Sequence, residues 1–240
     1  MESTKSAPAS GLQTIVDVIV APATAFERLR TAPTWGWALI ITLVLSAGAS
    51  IAIIPAVQHA MTVGWPAMVA QNPRLAQLSP EQQQQMLSFT LNIVKFSWIF
   101  VLIGVPFFLI IQTVLMVIFK AIGRGTGSFV SLWAAAVNIS VPIATLANVV
   151  AAIIVMLRGA DSFNSQTAVT SVLPSLALLA PGAAPKVFAF LSGINIFTLW
   201  GLVLNYLAMR ITAGVGAVPA GCLALILLLA LAFVQALGAH

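Results

Sequence analysis

Charge is what this sequence has least of. Of its 240 residues only 6% are Asp, Glu, Lys or Arg, five acidic and ten basic. A soluble domain carries about a quarter charged residues, because its surface must be wetted. That scarcity excludes a water-exposed globule. With 60% hydrophobic residues and a mean hydropathy of +1.07, lipid is the solvent left for most of the surface. Cysteine is nearly absent too: Cys222 stands alone in an apolar run, so no disulfide can form within the chain. The five acids (Glu2, Asp17, Glu27, Glu81, Asp161) all fall outside the long apolar runs. This removes the intramembrane carboxylates that proton-coupled pumps and cation sites use. His59 and His240 lie 181 positions apart without ligand-spaced companions, and no HExxH or GxSxG motif occurs. Neither an enzyme nor a bound cofactor or metal is expected. The net charge of +5 comes from single basic residues scattered between apolar blocks, not from a nucleic-acid-binding patch.

What the chain does have is long apolar runs. They predict an all-α integral membrane protein with five transmembrane helices at about 35–57, 96–119, 129–157, 188–209 and 217–237. Residues 1–34 form an N-terminal cytoplasmic and interfacial segment, and 35–240 the membrane domain. The polar start (MESTKSAPAS) has no signal-peptide core, so the first span is expected to serve as its own insertion signal. Residues 1–11 are Ser/Ala/Pro-rich and expected to be disordered. Leu12–Val20 is too short to cross a bilayer, and Pro22 opens a second short helix bearing Phe26, Arg28, Leu29 and Arg30. These two helices read as a short interfacial segment; packing against the spans is the alternative.

Local signals punctuate the rest. Ser79-Pro80-Glu81-Gln82 spells a capping box with Pro at the first helical position, and the helix should run on into the second span. Gly104 and Pro106 predict a kink within that span. Lys120–Ser128 (KAIGRGTGS) is a sharp glycine-rich turn; no strand precedes it and no GK[ST] follows, so it is not read as a phosphate loop. Pro142 falls inside the third apolar run and predicts a tilted or broken helix. Ala168–Ala180, interrupted by Pro174, cannot span and reads as interfacial or re-entrant. The chain stops at His240, which leaves no soluble C-terminal domain to expect.

Five spans put the termini on opposite sides. Lys5, Arg28, Arg30, Lys120, Arg124 and Arg210 would share one side, against Arg74, Lys95, Arg158 and Lys186 on the other. The positive-inside rule then favours a cytoplasmic N-terminus.

Two sets of residues are candidates for function. Gln112, Asn138, Asn148, Asn195, Asn205 and Tyr206 are the polar membrane core. Asn138 and Asn148 are ten apart, as are Asn195 and Asn205, which places each pair within about 80° on one helix face. Such amides either line a path for a small neutral solute or lipid or bond helices together, and bonding is the commoner role. Phe26, Arg28, Arg30, Lys120 and Arg124 are the candidate cytoplasmic surface, for a protein partner or for anionic headgroups. Small-residue pairs such as Ser46/Ser50, Gly48/Ala52 and Ala147/Ala151 permit close helix packing or self-association.

The order of these features resembles a known family. An apolar run, Pro22, Phe26, Leu29 and Pro33 precede the first span; the basic turn ends in Gly127-Ser128-Phe129; Val141-Pro142 marks the third span, and Ile194–Trp200 opens the fourth. Across nearly the whole chain this is similar to the bacterial branch of the Ypt/Rab-interacting (Yip) membrane-protein family. The resemblance implies five spans, a bacterial inner-membrane setting, and an interaction or membrane-organising role without enzymatic activity. Eukaryotic members are trafficking adaptors that contact small GTPases through a long cytosolic N-terminal region. Here about 34 residues precede the first span, and GTPase binding is not carried over. The expected surroundings are the lipid bilayer, with membrane-protein partners or a second copy. A transporter or flippase using the amide-lined interface is the alternative.

Overall fold

The computed structural model describes residues 10–237, and in them the chain is helical almost throughout. The disorder expected for residues 1–11 falls outside the described residues except at its last two positions. In chain order the α-helices are α1 (Gly11–Val20), α2 (Pro22–Thr31), α3 (Gly36–Gln71), α4 (Pro73–Ala76), α5 (Pro80–Lys95), α6 (Ser97–Ile122), α7 (Phe129–Ser140), α8 (Leu146–Arg158), α9 (Gln166–Thr170), α10 (Pro185–Ser192), α11 (Ile196–Ile211) and α12 (Ala217–Leu237).

Helix starts follow local chemistry. Ser10 accepts from Gln13 N–H at 3.2 Å at the head of α1. At α5, Ser79 Oγ accepts from Gln82 N–H (3.3 Å) and Gln82 Oε1 from Ser79 N–H (3.0 Å), the reciprocal box that satisfies two otherwise orphaned donors. Ser128 caps α7 without a reciprocal bond to its own N–H, accepting from Ser131 N–H at 3.1 Å.

Four helical stretches among the described residues are long and apolar enough to cross a bilayer: Gly36–Gln71, Ser97–Ile122, Phe129–Arg158 and Ala217–Leu237. The last has the expected bounds. The first continues through Pro55 and Pro66 to 36 residues, about 54 Å at 1.5 Å per residue; 58–71 carries no Asp, Glu, Lys or Arg, and neither Gly64 nor Pro66 stops the helix. The helix beginning at Ser79 does not run unbroken into the second span, since Phe96 leaves the helical conformation between α5 and α6. In the third run Pro142 is accommodated by a π-helical turn, Val141–Thr145, that joins α7 to α8.

The expected fourth span, 188–209, is divided. It comprises α10 and α11, with a break at 193–195. Leu176 N–H donates to Ile194 carbonyl at 3.0 Å and Ser175 bridges to Asn195, which draws this backbone out of helical pairing. Gly193 sits so close to the backbone at Ala232 that an added Cβ would lie 2.6 Å from its Cα.

The chain divides into two compact units. One comprises the described part of Met1–Leu43 with Val105–Leu146 and Ile196–Leu231. Its core joins Val18 of α1, Phe26 and Leu29 of α2, Met116 of α6, Leu132 and Val137 of α7, and Leu204 and Met209 of α11. The other comprises Val44–Gly104, Ala147–Asn195 and the described part of Ala232–His240. Its smaller core gathers Ala56, Ala60, Val155, Phe163 and Val169, with the Arg158 guanidinium 5.0 Å from the Phe163 ring centroid. Gln58 donates from α3 to the Leu91 carbonyl of α5 at 2.9 Å.

Candidate functional site

The first unit holds most of both candidate sets. In its polar interior, Gln112 of α6 donates to Asn205 Oδ1 of α11 at 2.8 Å, and Asn205 Nδ2 donates back to the Gly201 carbonyl at 2.9 Å. Asn138 is fully buried and donates to the Ala134 carbonyl (2.8 Å) and the Thr34 carbonyl (2.7 Å), so it latches the α2–α3 connection to α7. Its Oδ1 is buried without a partner among the described residues. Thr42 and Ser140 share a buried hydrogen bond at 2.9 Å. Tyr206 is half-buried against the same core.

The other two amides belong to the second unit. Asn148 of α8 is exposed, and Asn195 lies at the α10–α11 break in the second unit. Asn138 and Asn148 therefore do not form one polar face. The π-helical turn between them inserts about one extra residue per turn and moves the phase. Two clefts in the first unit, of about 410 and 600 Å³, are lined by none of the six candidate polar residues.

The candidate surface set is partly brought together. Phe26 is corrected: it is fully buried, not a surface residue. Its face of α2, with Ala25 and Leu29, packs on the core, and its carbonyl accepts from Thr212 Oγ1 at 3.1 Å. An amphipathic helix can turn its apolar stripe to protein as readily as to lipid, and here protein takes it. Arg28 pairs with Asp17 of α1 at 2.7 Å, and Arg30 is exposed. Lys120 donates to the Gly127 carbonyl at 3.0 Å. Arg124 is exposed and has a left-handed backbone, φ 53°.

Arg124 occupies the position after the helix end where glycine is the usual occupant: Gly125 N–H closes back to the Lys120 carbonyl at 2.8 Å, a Schellman closure of α6. The neighbouring glycines serve a different purpose. Thr126 and Gly127 N–H groups both donate to the Ala213 carbonyl, at 2.9 and 3.3 Å. A Cβ on Gly125 would collide with the Ala213 carbonyl oxygen, and one on Gly127 with the Thr212 carbonyl oxygen. The glycine-rich turn and the 212–216 loop thus lie backbone against backbone. Thr212 ties α2 to the same loop, and Arg210 closes it by donating to the Val215 carbonyl at 3.0 Å. The loop's part was missed in the sequence, where it read only as a short connection; Gly214 and Gly216 were the available signal, and Gly214 has φ 67°.

Three basic segments distant in sequence therefore converge at one end of this unit: α2, the turn after α6, and the end of α11. The Yip1 domain model matches residues 16–238, from α1 through the last described helix. The chain belongs to the Yip1 domain family. Neither a curated protein nor a solved structure matches it. With four helices among the described residues long and apolar enough to span, this Yip1-domain chain is a polytopic membrane protein. Both docked loops and the buried α2 face fall inside the matched region.

Proposed function

We propose that this Yip1-domain protein acts by interaction, as a membrane-organising or adaptor protein of the bacterial branch of its family, and that it is not an enzyme. The observation that carries the reading is the docked basic end. Arg124 is exposed on a turn held by backbone hydrogen bonds, and Arg30 on a helix held by the Thr212 hydroxyl and the buried Phe26, a fixed display suited to a partner or to headgroups. The interior amides are tied to one another or to backbone, which supports their role as bonds between helices and favours no transport path.

The reading includes five spans, with α10 and α11 crossing together as one broken span, and a cytoplasmic N-terminus in the inner membrane. The loop after α11 touches the turn before α7. If Phe129–Arg158 crosses the bilayer, residues 159–211 must bring the chain back, and this supports a fifth crossing. α11 alone has 16 residues, about 24 Å, so α10 must contribute to a passage of roughly 30 Å. Asp17 and Arg28 neutralise each other on the α1–α2 hairpin while Leu12, Val16 and Val20 stay exposed, as suits a hairpin in the bilayer interface.

Topology reporters fused after residues 30, 75, 124, 170, 213 and 240 test the architecture: signals should alternate and end outside. A cytoplasmic C-terminus overturns the five-span reading. Photocrosslinkers at Arg30 and Arg124 test the role. They should capture one reproducible membrane partner or a second copy; protein in vesicles that translocates a neutral solute or lipid would overturn it.

A further inference from the structure

The turn after α6, which displays Arg124, also borders a cleft. The cavity, about 410 Å³, lies where α6 ends and α12 begins. Phe119, Ile122, Val218, Pro219 and Cys222 give it apolar walls, and Arg124 is its one charged lining residue. Both helices are apolar enough to span, so their ends stand at the level of lipid headgroups. Ile122 and Val218 are 67% and 76% exposed, which leaves the apolar walls open to a chain entering from the side.

The cations nearby differ in what engages them. Lys120 donates to the Gly127 carbonyl and Arg210 to the Val215 carbonyl. No hydrogen bond or ion pair among the described residues engages the Arg124 side chain, and no acid lines the cleft. The turn holds Arg124 left-handed, a conformation glycine adopts more readily, and so sets its side chain at the rim of an apolar groove. A planar fork of donors above apolar walls complements one chemistry: a phosphate carrying acyl chains. The α6 C-terminus and the α12 N-terminus meet at this cleft, so their opposed dipole ends offset and the Arg124 charge sets the preference for net negative charge.

We propose that this cleft binds an anionic phospholipid, with Arg124 holding the headgroup phosphate and an acyl chain lying between the ends of α6 and α12. The proposal goes beyond the adaptor role and requires only that α6 and α12 span.

The test uses the full purified chain in detergent, with phosphatidylglycerol and phosphatidylcholine of matched acyl chains titrated by native mass spectrometry. The wild type should retain phosphatidylglycerol about five- to tenfold better, the effect of one basic residue near a headgroup. Arg124→Gly suits the left-handed backbone and should abolish that preference without lowering the unfolding temperature. Lys186→Gln, an exposed basic residue of α10 outside the cleft, should leave the preference intact. Equal retention of the two lipids by wild type overturns the proposal, as does an unchanged preference in Arg124→Gly or an equal loss in Lys186→Gln. A second measurement needs no variant. Phosphatidylglycerol should slow maleimide alkylation of Cys222, the chain's single cysteine, while phosphatidylcholine and inorganic phosphate should not. Alkylation at one rate in every case, or slowing by inorganic phosphate alone, also overturns it.

Discussion

Replacing Gly127 by Ala should cost far more stability than one methyl group ordinarily does. The added Cβ meets backbone on two sides: the Thr212 carbonyl oxygen, and the Ala213 Cα at 2.9 Å. Neither can rotate away as a side-chain tip could. Restoring ordinary contact requires the turn and the 212–216 loop to part by most of an ångström. Thr126 and Gly127 donate to Ala213 at 2.9 and 3.3 Å, and both bonds would pass the useful limit. Two lost hydrogen bonds at about 1 kcal/mol each, with an overpacking cost of about 1–3 kcal/mol, give a loss of roughly 3–5 kcal/mol. Gly104→Ala is the internal control, because nothing lies within 4 Å of its added Cβ. In mid-helix that change should be neutral or stabilise by up to about 1 kcal/mol. Unfolding in detergent, followed by the fluorescence of the six tryptophans, reads both variants. If Gly127→Ala unfolds with wild type, or if Gly104→Ala loses as much, the backbone-to-backbone account of the turn is wrong.

Phe26→Ala should destabilise by about 3–5 kcal/mol and release the α1–α2 hairpin, read as faster protease cleavage near residues 31–35, because Phe26 is fully buried; cleavage at the wild-type rate would contradict its packing. For Gln112→Leu and Asn205→Leu, a double-mutant cycle should give a coupling of about 0.6–2 kcal/mol from their 2.8 Å bond, and zero coupling would remove the interhelical role. Asp17→Asn leaves Arg28 without its carboxylate and should cost about 1–3 kcal/mol. Asp17→Asn with Arg28→Gln should recover part of that loss; a double variant worse than the sum of the singles refutes the pairing.

Features fixed by neighbouring residues were legible in the sequence. The capping box at Ser79 needs only residues three apart, and α12 needs only an uninterrupted apolar run between Gly216 and the chain's polar end. Pro142 announced an irregularity, though not its form, since the choice between a break and a π-helical turn depends on what packs around it. Features fixed by distant residues were not legible. The break at Gly193 answers to Ala232 and Ser175, and Ser192-Gly193 with Asn195 was its one local signal, too weak alone to divide an apolar run. Burial of Phe26 depends on core partners far along the chain, and its carbonyl accepts from the Thr212 hydroxyl, 186 positions away. The glycine-rich turn shows both limits together. Its glycines read as a sharp turn, yet Arg124 takes the left-handed position and the glycines make room for another loop.

That exchange of roles bears on what the basic end can do. Most cations there are already engaged: Arg28 by a carboxylate, Lys120 and Arg210 by carbonyls that their own turns leave without helical partners. These three hold the end together, and removing any of them should be felt first as stability. Arg30 and Arg124 make no such bond among the described residues, so their removal should be felt first as lost recognition. Net positive charge alone would predict that the basic residues are interchangeable. The hydrogen bonds divide them instead, and only the exposed pair is positioned to read something outside the chain.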